Sequence, residues 1–239
     1  FYLGVGIQST AELEAPEVQS LCRQAAGIWT RDAASAARLR GVPGIGPVHA
    51  GADLAHLFFA ATPPPPAATG RVTLVANFDY SSWPGRDACL RAVDELQPTS
   101  RIWLAQESRE LPGAEKALHA ALPENERSQW QLVAPEREGA PLGDVLRRWP
   151  SGEWLITSRF HAAIAGAWAG SKVIVIGINE KLRGIARELN VPLIAPDADR
   201  FTVTQALREA RPATRPTALA TLARQAGEAF VRSAVAPAR

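Results

Sequence analysis

The sequence predicts an α/β fold in which two lobes are each built on a parallel sheet, and three observations carry that prediction. Short apolar runs alternate with helix-patterned segments along nearly the whole chain, the order that parallel strands with helical crossovers produce. One stretch spells the unit out in full: Trp154-Leu155-Ile156-Thr157, an Ala-rich segment to Ala169, Gly170, and a second apolar run from Lys172 to Gly177. Third, Pro63 to Pro66 break the alternation inside Ala60–Gly70. A proline run prefers polyproline II, lacks amide donors and acts as a semi-rigid spacer. The expected organisation is residues 1–60 as the C-terminal part of a first lobe, 61–70 as linker, 71–210 as a second lobe, and 211–239 as a closing helix, with the site in the cleft.

Taken in order, Phe1 to Ile7 reads as a buried strand and Ala15 to Ala26 as a helix with Pro16 in its first turn. Gly27 to Thr30 is a short strand. Arg31 to Leu39 follows as a helix stopped by Gly41, and His49 to Phe59 mixes small, polar and aromatic residues around Asp53. Beyond the prolines, strands are expected at Val72–Ala76, Ile102–Ala105 and Gln129–Val133, and helices at Asp87–Leu96, Gly113–Leu122 and Leu142–Trp149. Ser158 is a good N-cap for the helix Arg159–Ala169, which Gly170 can stop. A helix at Leu182–Leu189, a strand at Leu193-Ile194 and a helix at Val203–Ala210 follow. The stretch Thr217 to Val235, with Leu219, Leu222, Ala226, Phe230 and Val231 at helical spacing, is amphipathic.

The chain has 239 residues, 46% hydrophobic and 21% charged, enough for ample core in one large or two small domains. A net charge of +2 gives no sign of a nucleic-acid surface. The longest apolar runs fall short of the roughly 20 residues that span a bilayer. Cys22 and Cys89 lie in helical patterns outside any CxxC or metal-ligand spacing, which suits buried reduced thiols. The sequence holds no methionine and begins within a strand, so a fragment or processed form with an incomplete first lobe is expected.

Several of these residues carry a family resemblance. Thr30-Arg31-Asp32-Ala33-Ala34-Ser35 with Leu39 and Gly41-Val42, then Asp53-Leu54-Ala55, then Ser158-Arg159-Phe160-His161 with Ala165-Gly166-Ala167 and Gly170, and last Asn179-Glu180-Lys181, together resemble the polysaccharide pyruvyl transferase family. That family shows R-D-x-x-S, D-P-A-F, S-x-R-L-H and Y-D-P-K elements in this order. Here Leu54 replaces a proline, Ile178-Asn179-Glu180-Lys181 replaces Y-D-P-K, and the run from Val72 ends without the arginine that many members carry. The resemblance implies two facing Rossmann-like lobes similar to the GT-B glycosyltransferases. It also implies transfer of the enolpyruvyl group of phosphoenolpyruvate onto a saccharide or lipid-linked saccharide as a ketal, without a cofactor. The implied setting is bacterial polysaccharide and cell-envelope biosynthesis, in the cytoplasm or at the inner face of the membrane.

Residue chemistry gives this activity candidate parts. Phosphoenolpyruvate carries a carboxylate and a phosphate, for which Arg159 offers a forked donor and the following helix start offers amides. Ketal formation needs a proton on the methylene carbon, and His161 is the natural general acid. Lys181 adds a second cation from the next crossover. The substrate-binding set is completed by Ser158, Phe160 and Asn179, by Asp53 as a carboxylate for an acceptor hydroxyl, and by Asn77, with Asp79 and Tyr80, just past a strand end. Trp83 beside Pro84-Gly85 offers a stacking face for a sugar. The plain alternatives are an Arg159 that bridges to a carboxylate and an Asp32 that merely caps a helix. His49, His56 and His119 show no metal-ligand spacing. A sugar-nucleotide glycosyltransferase is the first rival, with Glu180 as the carboxylate for a ribose, and a non-catalytic glycan-binding protein is the second.

Overall fold

The computed structural model describes residues 1–75, 83–106, 113–134 and 141–235. The chain divides into two compact units, Phe1–Ala61 with Arg215–Arg239, and Thr62–Thr214. The C-terminal helix is thus grouped with the first unit.

In the first unit three parallel strands, β1 (Tyr2–Val5), β2 (Ile28–Thr30) and β3 (Val48–Ala50), lie in the order β1-β2-β3. The period of two along a strand sends neighbours to opposite faces. Ile28 joins a core with Ile7, Leu13, Cys22, Ala25 and Leu39. Trp29 turns the other way, stacked on His49 at 4.8 Å and edge-on to Phe230 at 5.6 Å. Phe230 comes from the long helix Pro216–Val235, which packs against the helix Ala55–Ala61 and β1. Phe1 and Tyr2 are exposed, where the sequence suggests a buried strand. Between β2 and β3 runs α2 (Ala33–Arg40), preceded in the chain by α1 (Pro16–Gln24), and Ala55–Ala61 is α3.

The second unit is a doubly wound sheet of six parallel strands: β4 (Ala68–Val75), β5 (Ser100–Leu104), β6 (Gln131–Val133), β7 (Gly152–Thr157), β8 (Lys172–Ile176) and β9 (Leu193–Ile194). Their order is β6-β5-β4-β7-β8-β9. Among the described residues the helices beside them are α4 (Arg86–Glu95), α5 (Ala114–Ala120), α6 (Glu124–Arg127), α7 (Leu142–Arg147), α8 (Phe160–Ala169), α9 (Glu180–Leu189) and α10 (Arg200–Glu209), with Pro216–Val235 as α11. Leu74, Trp103, Ile156, Ile174 and Ile176 share one buried cluster with residues of α4 and α10. On β7 and β8, Leu155 and Val173 have the opposite parity and meet Gly166 of α8. Helices thus cover both faces, which is why β7 and β8 read as unbroken apolar runs.

The strand expected from Val72 begins earlier, at Ala68, inside the segment read as linker. Ala68 N–H donates to the Ser151 carbonyl at 3.1 Å, and Gly70 N–H donates to the Glu153 carboxylate at 2.8 Å. Gly70 has a φ of +71°, at a register shift that an alternation pattern does not reveal. Among the described residues no helix is long and apolar enough to cross a membrane.

Candidate functional site

From β4 the second unit grows outward through β5 to β6, then returns to β7 and grows the other way through β8 to β9. The connections leaving the carboxyl ends of β4 and β7 therefore diverge. In open α/β sheets that divergence opens the crevice in which ligands bind. Of the crossovers that open here, the one from β7 into α8 carries the motif singled out in the sequence.

Its turn is tighter than the sequence suggests. Ser158 N–H donates to the Val75 carbonyl at 3.2 Å, so sheet pairing runs one residue past β7 and Ser158 is not the N-cap. Arg159 takes that place in an extended conformation without a side-chain cap. The hydroxyl that serves the turn is that of Thr157, whose Oγ1 accepts from Arg159 N–H at 2.9 Å. Ser158 is buried, Phe160 is buried at the start of α8, and His161 is exposed on the first turn, its ring edge-on to Phe160 at 5.3 Å. The first-turn amides of a ten-residue helix lack intrahelical partners and form its positive end.

Arg159 does not stand as a lone fork for an anion. Its Nη2 donates to the carboxylate of Glu115 in the first turn of α5, and to the Gln106 carbonyl at 3.0 Å. The Glu115 side chain is 1% exposed and that of Arg159 is 22%. Glu115 also accepts from Gln106 N–H. The bridging alternative for Arg159 is thus the arrangement present. Glu115 escaped the sequence reading because it lies 44 residues away with no local pattern pointing to it.

The β8–α9 connection supplies the neighbouring wall. Asn179 caps α9, its side chain accepting from Leu182 N–H at 3.0 Å, so that part of its amide serves the helix and not a ligand. Glu180, half-exposed in the first turn, accepts from Arg183 at 2.9 Å and lies 3.5 Å from Arg187. Lys181 Nζ sits 4.7 Å from the centroid of the Phe160 ring. Phe160 therefore touches both His161 and Lys181, and the structure gathers four of the expected residues, Arg159, Phe160, His161 and Lys181, at one sheet edge.

Other expected residues have partners of their own or lie outside what is described. Asp53 belongs to the first unit, where its carboxylate accepts from Ala55 N–H at 2.9 Å and opens α3. Close by, burial lowers the His56 pKa to about 4, against a smaller opposing pull from Asp53. Asp32 caps α2, accepting from the Ser35 amide at 2.6 Å and hydroxyl at 2.8 Å, which is the structural reading of that motif. Asn77, Asp79 and Tyr80 lie outside the described residues. Trp83 is buried in the core of the second unit and offers no stacking face. His119 is buried too, donating through Nε2 to the Trp130 carbonyl at 3.0 Å. Among the described residues no group of three His, Cys, Asp or Glu could hold a metal ion. An open groove of about 560 Å³, lined by Pro63 to Pro66, Arg147 and Trp168, lies at the opposite, amino-terminal edge of the sheet.

No protein-family model matches the sequence, and no curated protein matches it. Solved structures do resemble the fold. The α,α-trehalose-6-phosphate synthase of Burkholderia multivorans superposes with a TM-score of 0.62 at 15% identity, over 99% of this chain and 65% of that one. The sucrose-phosphate synthase of Thermosynechococcus elongatus gives 0.61 at 13%, over 98% and 68%. The Anabaena protein HepE, solved with UDP and glucose, gives 0.57 at 12%, over 98% and 71%. The chain spans less than two thirds of the length of the trehalose-6-phosphate synthase. At such identities the common property is the fold, which is the α/β fold of the GT-B glycosyltransferases, as the resemblance implied.

Proposed function

We propose that this chain carries the donor-binding machinery of a GT-B transferase whose donor is a nucleotide sugar. The observation that carries the reading is the gathering of Arg159, Phe160, His161 and Lys181 beside the strand pair where the order of connection reverses. On this reading the donor diphosphate lies against the first turn of α8, where helix amides and the Lys181 ammonium act together. Glu180 accepts from the ribose hydroxyls. The solved structures support this donor class in two ways: one holds UDP and glucose, and two are named as sugar-phosphate synthases.

Pyruvyl transfer from phosphoenolpyruvate is the second reading, and the exposure of His161 two residues beyond Arg159 favours it. There His161 would protonate the methylene carbon, an acceptor hydroxyl would attack C2, and phosphate would leave as a second hydroxyl closes the ketal. In that case His161→Ala keeps donor binding and loses turnover.

Thermal unfolding with UDP-glucose and with phosphoenolpyruvate separates the two. A ligand at 100 times its Kd adds about 2.7 kcal/mol, a melting shift of several degrees. The expected result is stabilisation by UDP-glucose that fades in Lys181→Ala. Stabilisation by phosphoenolpyruvate alone overturns the first reading in favour of the second, and silence with both points to a glycan-binding protein without either donor.

A further inference from the structure

We propose that Glu115 is the positioning residue of this site, holding Arg159 in place for the donor; the inference rests on the donor site proposed above. Gln106 follows β5, Glu115 opens α5 and Arg159 follows β7, while β4 lies between β5 and β7 in the sheet. To reach Gln106 and Glu115, the Arg159 side chain crosses the carboxyl end of β4, at the divergence point itself. Its guanidinium is held by a carbonyl and a carboxylate together, and the carboxylate is in turn fixed by Gln106 N–H. A fork whose rotamer is set beforehand gives up little entropy when an anion arrives.

Burial singles this pair out. Glu153, Glu95 and Asp94, the carboxylates of other ion pairs in the same unit, remain 26%, 27% and 53% exposed, against 1% for Glu115. Desolvating a carboxylate is costly, and a well-packed apolar pair of similar volume usually serves folding as well or better. Such a pair is therefore poorly explained by stability alone, and at a ligand crevice it fits the orientation of a binding group. The Arg159 side chain itself keeps 22% of its surface exposed.

The test is equilibrium binding of UDP-glucose to the full chain, Glu115→Asp and Glu115→Gln, with the melting temperature of each recorded. The expected order of affinity is parent, then Glu115→Asp, whose shorter carboxylate no longer reaches both partners, then Glu115→Gln, weaker by on the order of tenfold. Glu95→Gln, at an ion pair on α4, shows what a loss of stability alone does to binding, and it is expected to bind as the parent does. Parental affinity in both Glu115 variants, or a loss no larger than that of Glu95→Gln, overturns the positioning role. Hydrogen–deuterium exchange of the amides of residues 159–163 needs no ligand. Faster exchange in the Glu115 variants is expected, and parental exchange overturns the proposal. Should Glu115→Gln fail to fold, Glu115→Asp carries both measurements under the same criteria. A parent that binds no UDP-glucose refutes the donor and leaves the exchange result to judge Glu115.

Discussion

Lys181 holds its ammonium 4.7 Å from the centroid of the Phe160 ring, so a residue that opens one crossover touches a residue that opens the crossover beside it. The contact keeps a flexible cation close to the α8 start, where a cation–π interaction of about 0.5–1 kcal/mol suffices to bias its position. Lys181→Ala is expected to weaken UDP-glucose binding about tenfold with little change in melting temperature. Titration calorimetry checks this, and parental affinity contradicts it.

Glu180 separates the two donors. On the nucleotide-sugar reading proposed above, the carboxylate at the start of α9 accepts from a ribose, whereas it would repel phosphoenolpyruvate. Glu180→Gln is expected to weaken UDP-glucose binding by roughly tenfold, and to leave or improve any phosphoenolpyruvate binding. Competition binding reads both, and an unchanged UDP-glucose affinity counts against Glu180 as the ribose partner.

The first unit has a built-in acid limit. His56 is fully buried, and burial lowers its pKa from 6.5 to about 4, with Asp53 opposing. Between those values the unfolded chain binds a proton that the folded chain does not. Stability is therefore intact above pH 6.5 and falls as the pH drops toward 4, by on the order of 3 kcal/mol in all. Melting temperatures from pH 7 to 4.5 are expected to show the fall in the parent and a flatter profile in His56→Leu. Parallel profiles would refute it.

Gly166 seats the site helix. A Cβ there would lie 2.3 Å from Leu155 Cδ2 and 3.2 Å from Val173 Cγ2, both buried beneath α8. Gly166→Ala gains helix propensity but overpacks this contact, and is expected to cost about 1–3 kcal/mol. Urea denaturation measures it, and a neutral or stabilised variant contradicts the tight seating.

Much of the second unit was legible because a doubly wound sheet writes itself as apolar runs and amphipathic helices of fixed period. The strand from Trp154, the Ala-rich helix, Gly170 and the strand from Lys172 are local patterns, and they fold where the pattern puts them. What failed depended on partners far along the chain. Ser158 looks like a cap, yet β4 claims its amide, and the N-cap place falls to Arg159, whose amide donates to Thr157. Trp83 beside Pro84-Gly85 looks like a surface platform, yet packing within the second unit's core buries it. Arg159 stands out in the sequence as a candidate, but the carboxylate that holds it does not, since no periodicity links positions 115 and 159. The attachment of α11 to the first unit likewise follows from Phe230 finding Trp29, a contact across 201 positions of sequence.

The most direct test of the site assignment is a crystal structure of the chain grown or soaked with UDP-glucose. The diphosphate is expected against the first turn of α8, within hydrogen-bond reach of Lys181 and of the amides that begin the helix. A nucleotide bound in the groove of Pro63 to Pro66 and Trp168, at the other edge of the sheet, would contradict it.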